Sequence, residues 1–405
     1  MFSAFITDNS TINEQAETVM KSTYMTIAEY WKTNNGTVRY VSATSGSTSS
    51  SCTSSSPCQS LYYAYYAHFD SYTSPSSRSL SILLMDGTHT RDTSSLFNYS
   101  ASYNSFNWTI TISPYNSSTP TLQIPSIFNG TYLFQLSTGS LSLSDFTLDI
   151  LHSFTDSSPF LVTSYGTLSF TNMLFKASTL STPIRNTFIQ INKTGTLNST
   201  NTTFSDVTVS NRPFISSSFT NTTSDLSALN IRIVDSSFTN ITRSSGDGGI
   251  LSLLPYHTPT VFLSNTTFHS CSCNSGGGGA FYINRNTSLP IEFSQLTFTN
   301  CSSSENGGAV RFHLYKNLPI IKFTNTTFTA PQDKNGGCIY ITFSDGFEFV
   351  QKTEWIEFIT ESYDSIKQTA EHYLLSEENI TTRTPYNASL FHFLYLSLSL
   401  LLLIH

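Results

Sequence analysis

The sequence predicts an all-β chain folded as a right-handed parallel β-helix, a solenoid with coils of about 30 residues and short capping helices at both ends. Three columns of residues carry this prediction. An apolar residue recurs as Leu141, Leu168, Leu197, Ile231, Val261, Ile291 and Ile321, in steps of 27, 29, 34, 30, 30 and 30. Seven positions after each stands a large apolar residue: Leu148, Phe175, Phe204, Phe238, Phe268, Phe298 and Phe328. Four positions after each stands Asp145, Asn172, Asn201, Asp235, Asn265, Gln295 or Asn325. A fixed period of this length marks units that bury their apolar faces only by stacking on their neighbours.

The later units add a glycine column: Gly248-Gly249, Gly278-Gly279, Gly307-Gly308 and Gly336-Gly337. Paired glycines supply positive φ at a tight corner. An alternating run follows the last three pairs, which predicts half-buried strands with Phe281, Ile283, Val310, Phe312, Ile339 and Ile341 inward. Each unit is thus expected to hold two or three short strands, paired with the next coil at roughly 4.8 Å. Asn and Asp favour corners because they tolerate the left-handed conformation and bond to their own backbone. Their column is either a hydrogen-bonded amide ladder or a row of exposed turns without one.

The coils are placed at 139–350 and their entry and cap at 37–138. Within the entry, Thr37 to Ser42 reads as a strand. The stretch Pro57-Cys58-Gln59-Ser60-Leu61 opens a short helix rich in Ala and Tyr, and the runs from Ile82 and Trp108 read as first-coil strands. Capping is expected because an open coil end exposes unpaired strand edges. In 351–378, Ile356, Ile359, Tyr363, Ile366, Ala370 and Tyr373 recur at three and four, the spacing of an amphipathic helix. A spacer, 379–389, leads to a hydrophobic tail, 390–405, whose 16 residues would span about 24 Å as a helix. That length fits a cleaved lipid-anchor signal or a short membrane anchor, so membrane attachment is expected by one route or the other. The segment 1–36 is amphipathic, with Ile12, Val19, Met20, Tyr24, Ile27 and Trp31 on one helical face. It lacks a basic start followed by an apolar run, which points either to an incomplete start or to a different export route.

The motif Gly-Gly-Ala-aliphatic, present as Gly278-Gly279-Ala280-Phe281 and Gly307-Gly308-Ala309-Val310, and the related Phe238-Thr-Asn240 and Phe298-Thr-Asn300, resemble the polymorphic outer-membrane protein repeats of intracellular bacteria. Similar arrays occur in secreted β-helix surface proteins of unicellular eukaryotes. The resemblance covers 230–343 well and 139–230 weakly, and no C-terminal autotransporter barrel follows. It implies a surface protein, often an adhesin, and carries no catalytic residues. The entry pattern also resembles the entry segment of such proteins.

Composition points the same way. Only 11% of residues are charged, Ser, Thr and Asn abound, and the net charge of −7 carries no basic stripe, which argues against a nucleic-acid partner. With 31 Phe and 21 Tyr the chain can fill a long core. Asn-x-Ser/Thr occurs at 17 of 29 asparagines, and the candidate N-glycosylation sites are Asn98, Asn107, Asn116, Asn129, Asn192, Asn198, Asn221, Asn240, Asn286 and Asn300. Together these features predict a glycoprotein of the secretory pathway, displayed at the cell surface.

Of six cysteines, Cys52 and Cys58 form one candidate disulfide and Cys271 and Cys301, expected in neighbouring coils, form another, the alternative for the latter being a buried stack of free thiols. No cysteine spacing fits zinc, and His257, His269 and His313 fall in separate columns, so no metal or cofactor is expected. The fold also hosts pectate lyase-like enzymes, which need carboxylates on neighbouring coils. Asp145 and Asp235 fall three coils apart, and Asp149 and Asp206 two coils apart in similar columns. No adjacent pair emerges, no lone carboxylate is expected beside an outward Lys or Arg in a way that would suggest proton abstraction, and Gly276 to Gly279 reads as a corner rather than a phosphate loop. One binding face stands out: Tyr282, Arg311 and Tyr340 share an outward column flanked by Asn284 and His313, a combination suited to sugar rings. The function expected is therefore non-enzymatic, adhesin-like or structural, with glycans or surface proteins as partners. The alternative is a carbohydrate-active enzyme.

Overall fold

A computed structural model describes residues 37–48, 51–70, 79–90, 97–98, 109–116, 118–124, 134–136, 138–151, 161–163, 165–177, 183–184, 187–192, 194–218, 230–253, 260–285, 291–314, 321–333, 338–343 and 356–359. The amphipathic segment 1–36, the spacer and the hydrophobic tail lie outside them, as do Gly336 and Gly337. So do the sequons at Asn107, Asn129, Asn221 and Asn286. Among the described residues no helix is long and apolar enough to cross a membrane.

The chain is a parallel β-solenoid. Among the described residues the strands form an 18-stranded, a 9-stranded and a 4-stranded sheet. The three predicted columns are in register: Leu141 pairs with Leu168, Leu168 with Leu197, Leu197 with Ile231, Ile231 with Val261, and Ile291 with Ile321. Two earlier coils extend the column upstream through Leu80 and Ile110. Side chains alternate inward and outward along strands such as Ser79–Leu84, where every second residue is buried. That alternation is what a period of two in the sequence requires of a half-buried strand.

The coils at 196–218 and 230–253 hold four strands, while those at 260–285 and 291–314 hold the expected three, because Thr260–His269 and Ile291–Thr299 each run through as one long strand. One strand of each coil is short, as in Thr242–Arg243, Ser272–Cys273 and Ser302–Ser303, and builds the smallest sheet. The sequence concealed it because two residues are too few to show alternation.

Phenylalanine dominates the interior. Phe175, Phe204, Phe238, Phe268, Phe298 and Phe328 stack ring on ring, with successive centroids 4.9, 4.7, 5.3, 4.8 and 4.9 Å apart and planes within 16° of parallel. A parallel in-register pairing dictates this arrangement, because identical side chains on successive coils sit one strand spacing apart. Phe214 and Phe281 meet the stack edge-on, the other favoured geometry for aromatic pairs. Of the predicted inward residues, Phe281, Ile283, Val310 and Phe312 are fully buried, and Ile339 and Ile341 are half-buried.

The turn column forms the ladder over part of its length, from residues that are nevertheless exposed. Asp145, Asn172, Asn201, Asp235, Asn265, Gln295 and Asn325 all take positive φ, between 46° and 63°. The described asparagines among them are exposed, yet ladder bonds form: Asn172 Nδ2 donates to Asp145 Oδ1 at 2.7 Å, Asn201 to Asn172 at 2.7 Å and Asn265 to Asp235 at 2.6 Å. A second left-handed column runs through Asp206, Asn240, Ser270, Asn300 and Ala330, with its own bond from Asn240 to Asp206 at 2.9 Å. Asp149 lies in the neighbouring column, in register with Lys176 and Ser205, two coils from Asp206.

At the entry, the helix Leu61–Asp70 packs against the strands Thr37–Val41 and Ser79–Leu84, with Leu61 and Ala64 buried. Cys52 and Cys58 are joined in a disulfide. It ties down a loop that also bonds the first strand, through Tyr40 N to Cys52 O and Cys58 N to Tyr40 O, both 2.8 Å. At the other end, Ile356–Ile359, expected in a helix, is a strand in parallel register with Ile321–Thr324. Its Ile-Glu-Phe sequence has period two as well as period three, and the open sheet edge supplies hydrogen-bond partners that an isolated helical turn lacks.

Cys271 and Cys301 stand in neighbouring coils as expected, but as free thiols. Both point inward, and each donates to the carbonyl of the preceding coil, Cys271 to Phe238 O at 3.4 Å and Cys301 to Phe268 O at 3.5 Å. Burial, with Cys301 alongside, pushes the Cys271 thiol well up from its ordinary pKa.

Candidate functional site

The second sheet places Tyr282, Arg311 and Tyr340 opposite one another, and beside them Asn284, His313 and Thr342. The five predicted site residues therefore do share one outward patch. Arg311 Cζ lies 5.7 Å from the centroid of the Tyr282 ring and 5.9 Å from that of Tyr340, within cation–π range of both. Asn284 Nδ2 donates to the Tyr282 hydroxyl at 3.3 Å, while its Oδ1 is enclosed without a hydrogen-bond partner among the described residues. Burial and the neighbouring Arg311 lower the His313 pKa, which leaves its imidazole neutral at pH 7.

Glycine corners build the rim of this patch. Gly248, Gly278 and Gly307 take φ of 75°, 74° and 76°, and a Cβ at Gly279 would sit 2.2 Å from Gly308 O. The stretch Gly276 to Gly279 is thus a coil corner, as expected. Beneath the first corner lies Arg243, buried, whose guanidinium donates to the carbonyls of Asp247, Gly248 (3.2 Å) and Asn211 (2.9 Å). It satisfies carbonyls that the turn would otherwise leave buried and unpaired.

Two residues that the sequence did not assign complete the patch. Arg311 Nη1 lies 2.9 Å from Asp247 Oδ1 and 2.9 Å from Glu305 Oε2. Asp247 Oδ1 also accepts from Gly277 N at 2.7 Å. The two carboxylates come from corners two coils apart, yet share one guanidinium nitrogen, so their oxygens lie within twice that distance of each other. One expectation is corrected here: a carboxylate pair does converge, Asp247 and Glu305 on Arg311, and elsewhere Asp149 meets Lys176 at 3.6 Å. The physical reason is Gly277. It occupies the corner position between Asp247 and Asn306, and a Cβ there would fall 2.5 Å from Arg311 Cδ. Because it has none, the arginine passes over one coil and reaches the next. Counting columns at one-coil steps could not find this contact, although a glycine interrupting a polar corner column is a signal for it.

Among the described residues no group of His, Cys, Asp and Glu is arranged to hold a metal ion. The patch offers instead two aromatic rings, a fixed guanidinium, two carboxylates, an amide and a neutral imidazole on an open sheet face. Its chemistry is hydrogen bonding and stacking.

The fold places the chain in the class of parallel β-solenoids. No family model and no curated protein matches it. Two solved structures of the GH136 lacto-N-biosidase from Eubacterium ramulus are similar to it in fold. The selenomethionine form is 10% identical with a TM-score of 0.34, covering 85% of this chain and 71% of that one. The native form is 9% identical with a TM-score of 0.29, covering 83% and 72%.

Proposed function

We propose that the chain is a non-enzymatic surface solenoid that binds glycans on the face formed by Tyr282, Arg311 and Tyr340. The observation that carries this reading is the fixed arginine between two tyrosines in one outward column. A sugar presents an apolar ring face and a rim of hydroxyls. Tyrosine rings suit the first, and charged groups already held in place suit the second, because little side-chain freedom is lost on binding. The Arg311 fork is pinned by Asp247 and Glu305 before any ligand arrives. The adhesin-like role, attachment through the tail 390–405 and residence outside the cell belong to the same proposal. They rest on the low charge, the repeat motifs and the sequons, of which Asn116, Asn240 and Asn300 stand on exposed left-handed corners.

Retention on a panel of immobilised glycans tests the binding face. Tyr282→Ala together with Tyr340→Ala should abolish retention while the β-sheet circular dichroism persists. Equal retention of the double variant and the unaltered chain would remove the site from consideration. The mobility of the native protein after enzymatic removal of N-linked carbohydrate tests the location: a large downward shift supports the secretory pathway, and none refutes it.

The carboxylate pair favours a second reading, a glycan-cleaving enzyme. Paired acids about 5–9.5 Å apart suit glycoside hydrolysis. Against it, one guanidinium nitrogen of Arg311 stands between Asp247 and Glu305 and is hydrogen-bonded to both. Release of reducing ends from a retained glycan, lost in Asp247→Asn and Glu305→Gln, would establish the enzyme over the binder.

A further inference from the structure

Away from the glycan face, the outward column of the long sheet carries a sequence unlike the Ser and Thr around it. Successive coils place Asn198, Arg232, Phe262 and Glu292 side by side, and Lys322 takes the next register position. Phe262 is 36% exposed and is one of two exposed large apolar side chains among the described residues. Arg232 and Glu292, one coil to either side, are both exposed. The Arg232 guanidinium lies 5.3 Å from the Phe262 ring centroid, aligned along the column. The flanking outward residues are short, namely Asn230, Thr260, Val234 and Ser264, so the long side chains form a ridge.

The geometry points to a second copy of this chain as the occupant of this face. A two-fold axis through Phe262 reverses the order of the coils. It brings Phe262 against its own symmetry mate, Arg232 opposite Glu292 of the other copy, and Glu292 opposite its Arg232. One step further out, Asn198 faces the register position of Lys322. The match is exact in sign because positive and negative residues flank the aromatic at equal distances, one strand spacing each, roughly 4.8 Å. A patch complementary to itself under a two-fold axis is the requirement for a closed dimer, and an aromatic centre with a charged rim is the usual anatomy of such a contact. Among residues whose side chains the structure describes, neither Arg232 nor Glu292 is used in an intramolecular ion pair.

Sedimentation velocity across a concentration series tests this, on full-length chain stripped of N-linked carbohydrate so that no glycan covers Asn198 or Asn265. The unaltered chain should show a concentration-dependent dimer. Arg232→Glu alone and Glu292→Arg alone should each weaken association at least roughly tenfold, because each places like charges face to face. Mixed in equal amounts, the two variants should dimerise again, since each then meets a column of opposite sign. Phe262→Ala should also weaken association, and circular dichroism verifies that every variant keeps the β-sheet. A chain that stays monomeric at the highest concentration overturns the proposal. So does an Arg232→Glu variant that dimerises as well as the parent, or a mixture that stays monomeric.

Discussion

Arg311 and Asp247 are 64 residues apart and two coils apart, yet their side chains meet at 2.9 Å across Gly277. In a solenoid almost every contact is between nearest-neighbour coils, so a bond that skips one needs a gap. Gly277 provides it.

Replacing Gly277 by Ala should therefore act on the arginine. The new methyl would meet Arg311 Cδ at 2.5 Å and Asn306 O at 2.6 Å, and the second of these is backbone that cannot easily yield. The expected cost is about 1–3 kcal/mol in denaturant unfolding, with glycan retention lost as well. Asp247→Ala should lose retention with a smaller stability cost, since it removes the partner without crowding the corner.

Phe238 lies between Phe204 and Phe268 in the ring stack and is fully buried. Phe238→Ala should destabilise the fold by about 3–5 kcal/mol, through lost transfer energy and the cavity left behind. Phe238→Leu should recover much of that. Equilibrium unfolding in guanidinium measures both, and similar stabilities for the Ala variant and the parent would mean that the stack adds little.

Asn172 has two separable roles, its positive φ of 53° and its place in the ladder between Asp145 and Asn201. Asn172→Gly keeps the backbone conformation and removes the side-chain bonds, whereas Asn172→Ala loses both. The Ala variant should be less stable than the Gly variant by about 1 kcal/mol, the order of the left-handed penalty for a residue with a Cβ. Thermal unfolding of the pair separates the two contributions.

Cys273 is buried beside Arg243, and burial raises its thiol from 9.0 to about 11, the arginine offsetting part of the rise. A group with a raised thiol pKa binds more protons folded than unfolded between those values, so stability falls as pH rises from about 9 to about 11, then levels off. Below pH 9 the thiol is protonated in both states and contributes nothing to the pH dependence. Cys273→Ala should flatten this part of the alkaline stability profile. An unchanged slope would show that other groups govern it.

The core and the corners were legible in the sequence because one period governs them. Each anchor, each Phe and each Asn or Asp recurs at the same offset, and parallel pairing turns equal offsets into direct contact. Three things were not legible. The two-residue strands such as Ser272–Cys273 were too short to show alternation. Ile356–Ile359 fits two periods, and only the waiting sheet edge decides between them. The Asp247–Arg311–Glu305 cluster depends on side-chain reach over Gly277, of which the sequence carries only the glycine interrupting a polar corner column. For Cys271 and Cys301 the sequence placed the coils and left a disulfide and a buried stack of free thiols open, and the fold shows the second.

The hydrogen bonds between coils all run along one axis, since strand pairs with strand from Thr37–Val41 through to Ile321–Thr324 and beyond. Tension applied at the two ends of the chain would load those bonds in series, a few at a time, as in opening a zip rather than shearing a bolt. Each coil released would lengthen the chain by roughly 100 Å, at about 3.5 Å for each extended residue. A molecule built this way yields one coil at a time under load and absorbs mechanical work at every step.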